Sequence, residues 1–245
     1  MRRFYALPQN IADNQIIITD DQAQHITTVL RLQAGEKIIV CDGTGLEYTC
    51  SLLSVGKNCI AEILSSEMSK SEPKVSLTLF QGLPKGEKMD WIVQKCSELG
   101  IVNIVPVLTE RCIVKLDDKE AQKKQERWQK IALEACKQCG RARVPQVSAP
   151  ASFKVALKML KEYELTLVAY EEEQTNAVGQ ALDNFQGEKL AYFIGPEGGI
   201  DEQEHKALIE NGSKSVTLGR RILRTETAAI TMGAILLYQL GEMNG

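Results

Sequence analysis

Phe193-Ile-Gly-Pro-Glu-Gly-Gly-Ile200 and, further on, Leu218-Gly-Arg-Arg-Ile-Leu-Arg-Thr-Glu-Thr-Ala-Ala229 are the stretches on which the fold turns. In each, a short apolar run, Leu190 to Ile194 and then Val216 to Leu218, reads as a buried strand that breaks at a glycine, and a helix pattern follows. Two such units in succession predict two loops at the carboxyl ends of neighbouring parallel strands, where open α/β sheets bind ligands.

Glycines at 195, 198 and 199 let the first loop wrap a ligand and present amides and carbonyls to it. The helix that follows is expected to be capped from within: Asp201 accepts from the first free amides, and Glu204 returns a bond to the Asp201 amide. That acidic first turn disfavours a phosphate. Neither Gly-x-x-x-x-Gly-Lys-[Ser/Thr] nor Gly-x-Gly-x-x-Gly occurs, so the ligand is expected to be neutral or cationic there. The second loop sets Arg220, Arg221 and Arg224 before Thr225-Glu-Thr227. Those three residues either cap a helix and complement its dipole or take part in chemistry. The last helix, with Ala228, Ala229, Gly233 and Ala234, offers a narrow face for another helix, in the core or between subunits.

Outward from these loops the alternation continues. Val75 to Phe80 reads as a strand, and Lys88 to Leu99 as a helix with Met89, Ile92, Val93, Cys96 and Leu99 on one face and Gly100 as its terminal cap. Ile101 to Leu108 is a strand, and Lys119 to Cys139 a long helix with Trp128, Ile131, Ala132, Ala135, Cys136 and Cys139 along its stripe. Ser152 caps a helix to Leu160, Leu165 to Tyr170 is a strand, and Thr175 to Phe185 a short helix. An α/β domain over residues 73–245 with a largely parallel sheet follows. Residues 1–72 instead show one helical pattern, Asp20 to Leu30, and strands at Lys37 to Cys41, Glu47 to Val55 and Cys59 to Leu64, which suggests a small barrel. Ser65 to Pro73 is polar and reads as the linker.

The chain has 245 residues, 44% apolar and 25% charged, and a net charge of -3, which argues against coating nucleic acid non-specifically but permits a focal basic site. Its longest apolar stretch, Ala228 to Leu237, falls short of the ~20 residues that span a bilayer. Seven cysteines scattered through apolar patterns suit a reduced, cytoplasmic setting. Cys136-Lys-Gln-Cys139 lacks a second pair and the chain has two histidines, so no metal site is expected.

Ile194-Gly-Pro-Glu-Gly-Gly199 and Leu218-Gly-Arg-Arg-Ile-Leu-Arg-Thr-Glu-Thr-Ala228 resemble the two signature loops of the bacterial 16S rRNA (uridine-N3)-methyltransferases, a branch of the SPOUT superfamily. Leu83-Pro-Lys-Gly86 with Met89-Asp-Trp-Ile-Val-Gln-Lys-Cys-Ser-Glu-Leu-Gly100, His25 through Val29-Leu-Arg31, and Gln138-Cys-Gly-Arg-Ala-Arg-Val-Pro145 resemble further segments of that family; Lys137 and Cys139 depart from its pattern. The resemblance implies a PUA-like, RNA-binding barrel, a SPOUT methyltransferase domain threaded into a trefoil knot, a homodimer, bound S-adenosylmethionine, and methylation of uridine N3 in 16S rRNA of the small ribosomal subunit. The last helix then belongs to the knot and its dimer contact. A non-catalytic rRNA-binding assembly factor and a SPOUT enzyme acting on another RNA are the competing readings.

By that resemblance the cofactor is expected at Gly195, Gly198 and Gly199 in the first loop and at Leu218, Gly219, Ile222, Leu223 and Arg224 in the second. Uracil N3 must lose a proton, and the target must be unpaired to be reached. Arg224 is expected to stabilise the developing uracil anion, and Glu226, rather than Glu197, to accept the proton. Expected RNA contacts are Arg2, Arg3, Arg31, Lys85, Arg111, Arg141 and Arg143.

Overall fold

A computed structural model describes residues 1–243. The chain divides into two units, Met1–Glu72 with Cys136–Val144, and Pro73–Ala135 with the chain from Pro145 onward.

In the first unit, β1 (Arg3–Tyr5), β2 (Ile11–Ala12), β3 (Gln15–Ile18), β4 (Lys37–Cys41), β5 (Leu46–Ser54) and β6 (Cys59–Met68) form a sheet ordered β1-β4-β5-β6-β3-β2. Its pairs are antiparallel except for β1 with β4. Helix α1 (Asp20–Gln24) runs into one wider turn over His25–Val29. Alternation along the strands buries Ile16, Ile18, Ile38, Val40, Cys50 and Leu52 in one core. The β4–β5 turn is held by Asp42 Oδ1, which accepts from the Thr44 amide at 2.8 Å and its hydroxyl at 2.7 Å. The serines expected as linker are strand instead: Ser65 pairs with Thr49 and Met68 with Leu46. Backbone groups carry that ladder, so polar side chains do not end it. The returning segment is tied down by the buried pair Arg141–Glu72 at 2.8 Å, with the Glu72 carboxylate also accepting from the Ala142 and Arg143 amides at 2.9 Å.

The second unit alternates as expected. Its elements begin with β7 (Ser76–Gly82), α2 (Lys88–Leu99), β8 (Asn103–Leu108), α3 (Asp118–Cys139), β9 (Gln146–Val147), β10 (Ala151–Ser152) and α4 (Phe153–Met159). They continue with β11 (Leu165–Ala169), α5 (Val178–Ala181), β12 (Lys189–Ile194), α6 (Glu202–Glu210), β13 (Lys214–Val216) and α7 (Thr225–Gln239). Among the described residues every strand pair is parallel, in the order β10-β8-β7-β12-β11-β13 with β9 beside β8. Helix α2 buries Met89, Ile92, Val93 and Cys96 and stops at Gly100, whose φ of 115° is the left-handed turn that glycine permits. Ser152 caps α4 by accepting from the Val155 amide.

Four expectations are corrected. Strands β12 and β13 are not neighbours, because β11 pairs with both. Leu218 lies beyond β13, and α5 is shorter than the stretch Thr175 to Phe185. Cys139 at the end of α3 is exposed. The small face of α7 is used inside the unit: a Cβ on Gly233 would sit 2.8 Å from the Tyr192 hydroxyl, which donates to the Ala229 carbonyl at 3.2 Å. Among the described residues no helix is long and apolar enough to cross a membrane.

Candidate active site

A cavity of about 370 Å³ opens at the carboxyl ends of β11, β12 and β13. Its walls are the turn after β12, the stretch 217–225 after β13, and Tyr170 and Glu171 after β11. The third wall was not foreseen, since it depends on β11 lying between the other two strands.

The first loop is built for close approach. A Cβ on Gly195 would lie 2.8 Å from Ile200 Cγ1 and 3.0 Å from the Gly199 carbonyl carbon, and Gly199, at φ 72°, would carry one 3.2 Å from Glu171 Oε1. At the end of β7, a Cβ on Gly82 would meet Pro196 at 2.5 Å. Buried Gln81 donates from Nε2 to the Gly82 carbonyl (2.9 Å), the Thr225 hydroxyl (2.9 Å) and the Gly195 carbonyl (3.3 Å). The Thr225 hydroxyl in turn donates to the Gly195 carbonyl at 2.6 Å. Thr225 therefore joins the two loops instead of capping α7, whose N-cap, Arg224, makes no side-chain cap.

Asp201 caps α6 by accepting from the Gln203 amide at 3.0 Å. Glu204 takes the Asp201 amide, as expected, and also reaches the Glu110 amide at 3.0 Å. Burial raises the Glu204 carboxyl above its ordinary range against the pull of those two amides. Gly198 stands off the cavity wall against Arg111, whose Nη1 donates to the Gly198 carbonyl at 3.0 Å while Nη2 lies 3.6 Å from Asp201 Oδ2.

The remaining cofactor candidates, Gly195, Gly199 and residues 218, 219 and 222–224, all line the cavity. Ile222 is 87% exposed, and Gly219 has a φ of 100°. Behind Arg224 lies a cluster that sequence reasoning missed. Lys88, at the start of α2, donates to Glu197 Oε1 at 2.8 Å and stands 3.8 Å from Glu226 Oε2. The Glu226 oxygen is buried and has no hydrogen-bond partner among the described residues. Burial pushes the Glu197 carboxyl up, but the Lys88 ammonium and the Glu197 and Lys85 amides outweigh it and hold the group below its ordinary range.

Among the expected RNA contacts, Arg2, Arg31, Lys85 and Arg111 are exposed. Arg3 pairs with Glu47 at 2.6 Å, and half-buried Arg143 donates to the Thr44 carbonyl at 3.3 Å. Arg141 is 5% exposed and committed to Glu72, so its guanidinium is a brace within its unit and not a surface contact. Cys136 is buried, its thiol pushed up to about 12 chiefly by burial, and among the described residues no group of three or more His, Cys, Asp or Glu side chains could hold a metal.

The cavity's size suits a nucleoside-bearing ligand. Its lining sets backbone groups and the carboxylates of Glu171 and Glu197 opposite Lys88, Arg220, Arg221 and Arg224. Residues 70–237 match the family described as RNA methyltransferase domain. The chain belongs to this RNA methyltransferase family. Residues 18–64 of this family member also match the RNA methyltransferase PUA domain, so a small PUA-like domain accompanies the mixed α/β methyltransferase domain. The Ribosomal RNA small subunit methyltransferase E of Bacillus subtilis is 38% identical over 234 residues, 93% of this chain and 91% of the relative. The crystal structure of a Ribosomal RNA small subunit methyltransferase E from Neisseria gonorrhoeae bound to S-adenosyl methionine is 36% identical, with a TM-score of 0.82 over 97% of each chain. A methyltransferase of Legionella pneumophila in complex with SAM is 31% identical, with a TM-score of 0.81 over 96% of each.

Proposed function

We propose that this RNA methyltransferase moves the methyl group of S-adenosylmethionine to N3 of one uridine in 16S rRNA of the small ribosomal subunit. The observation that carries the reading is the buried Glu226 oxygen, without a hydrogen bond among the described residues and 3.8 Å from Lys88, one residue from Thr225 on the cavity wall. When bound, the cofactor supplies an electrophilic methyl group on a sulfonium. Gly195, Gly199 and the stretch 218–224 hold it through backbone groups, and Gly198 keeps its place through Arg111. Glu226 would accept the proton that uridine N3 must lose when it takes the methyl group. Arg224, exposed at the cavity rim, stabilises negative charge on the uracil oxygens.

Residues 1–72, with Cys136–Val144, are the RNA-binding module and the rest of residues 73–245 the catalytic domain. Arg2, Arg3, Arg31, Lys85, Arg111 and Arg143 meet phosphates. The resemblance of the two signature loops, which the Gly195–Thr225 and Gly195–Gln81 bonds join, supports reading the domain as knotted. The enzyme works as a cytoplasmic homodimer. Two measurements test the proposal: calorimetry with S-adenosylmethionine, which a docking factor would not bind, and mass mapping of rRNA from cells lacking the protein. Loss of one N3-methyluridine is expected; unchanged 16S rRNA would overturn the assignment.

A further inference from the structure

Beside the cofactor cavity lies an open groove of about 590 Å³ between the start of α2, Ile131 of α3 and Glu226 of α7. Lys88 belongs to both depressions. Methyl transfer requires its two reactants to lie side by side, so a hollow sharing a wall with the cofactor cavity is where the acceptor must enter. We propose that this groove is the seat of the target base, that Trp91 is its stacking platform, and that Lys88 and Glu226 together select uracil over cytosine. The inference rests on the methyltransferase reading above.

The indole of Trp91 lines the groove and is 54% exposed, although α2 has a buried face that could have taken it. Lys95 Nζ, paired with Glu98 at 2.7 Å, stands 5.2 Å over one face of its ring, so an unstacked base would lie on the other face. Of the groove's other polar groups, Asp90 accepts from Trp128 Nε1 at 3.1 Å and pairs with Arg127. An incoming base meets the ammonium of Lys88, which Glu197 Oε1 holds at 2.8 Å, and the carboxylate of Glu226, whose Oε2 makes no hydrogen bond among the described residues and stands 3.8 Å from that ammonium.

The Watson–Crick edge of uracil runs acceptor, donor, acceptor (O2, N3–H, O4), whereas cytosine offers an unprotonated N3 beside a donating amino group. A carboxylate at N3 accepts from uracil and confronts a lone pair in cytosine. An ammonium next to that carboxylate donates to a uracil carbonyl and repels the cytosine amino group. The 3.8 Å between Lys88 Nζ and Glu226 Oε2 sets a donor beside an acceptor at the spacing of neighbouring groups on one base edge. A second protein copy would fit the groove less well, since covering this pair with apolar side chains would strand both charges.

The test uses the full-length enzyme with a short RNA carrying one uridine in the target position and the same RNA carrying cytidine. Under single-turnover conditions with saturating S-adenosylmethionine, Trp91→Ala is expected to lower kcat/KM for RNA about tenfold to a hundredfold, and Trp91→Tyr to recover most of it, with cofactor affinity unchanged in both. With S-adenosylhomocysteine bound, the uridine-over-cytidine affinity ratio is expected to fall towards one in Glu226→Gln, because the amide can donate to cytosine N3. Wild-type kinetics in Trp91→Ala, an unchanged base ratio in Glu226→Gln, or a change of oligomeric state with RNA affinity intact would each overturn the base seat. Failure of the wild type to bind S-adenosylmethionine would instead overturn the methyltransferase reading.

Discussion

The loop after β12 and the loop after β13 share one cavity but are held very differently. The first is knitted in: its Gly195 carbonyl accepts from Thr225 and Gln81, its Gly198 carbonyl from Arg111, and Glu197 is gripped by Lys88 and the Lys85 amide. The second carries Ile222 almost fully exposed and is steadied by a bond from the Gly219 amide to the Thr217 hydroxyl at 3.2 Å. One wall is preorganised by these bonds, and the other leaves Ile222 without cover. Substitutions in the first should therefore cost fold and binding together, and substitutions around exposed Ile222 in the second binding alone.

The harshest way to break that contrast is Gly195→Val, which drives a side chain into Ile200 and the Gly199 backbone. Cofactor binding should vanish in calorimetry, and stability should fall by about 2 kcal/mol in urea unfolding. Glu226→Gln should leave cofactor affinity intact while single-turnover methylation drops ~10²- to 10⁴-fold; a wild-type rate would remove this residue from proton transfer. Thr225→Val cuts the tie between the loops and leaves the Gly195 carbonyl short of a donor, with an expected loss of about 1–2 kcal/mol in thermal unfolding.

Ile222→Ser sharpens the comparison from the other side: stability should stay within ~0.5 kcal/mol, while cofactor affinity weakens about tenfold as its apolar contact is lost. The smallest effect concerns pH. Glu197 has a lowered folded pKa, so its contribution is present above the ordinary carboxylate range and disappears as pH falls through the lowered value. Glu197→Gln should flatten the acid limb of a stability–pH curve by less than about 1 kcal/mol, the screened worth of a partly exposed pair.

Much of this architecture is visible in the residues themselves. The spacing of Met89, Ile92, Val93 and Cys96 before Gly100 defines α2, and both signature loops announce the cavity. Strand order is a different matter. Periodicity reports which face of an element is buried and nothing about which strand lies beside it, so β11 between β12 and β13, and with it the wall of Tyr170 and Glu171, could not be foreseen. Strands β1 to β3 are too short to show a period, and the serines of β6 hide a ladder made by the backbone. Gln81 left a faint signal, a polar residue ending an apolar run just before a glycine; Lys88 left none, since a lysine at a helix start looks like any solvated residue. Arg141 misled for the opposite reason, because an arginine-rich segment reads as surface until Glu72 is seen to claim one member.

The N-terminal unit includes Cys136–Val144, so the chain leaves it after Glu72, comes back after Ala135 and departs again after Val144. In genetic terms the unit is not a cassette. A gene fragment ending at codon 72 would yield a Glu72 carboxylate without the guanidinium and amides that satisfy it, and one starting at codon 73 would carry an Arg141 that has lost its Glu72 ion pair. Domain exchange between relatives would have to carry two separated exons' worth of sequence at once, and Glu72 and Arg141 are expected to change hands as a pair.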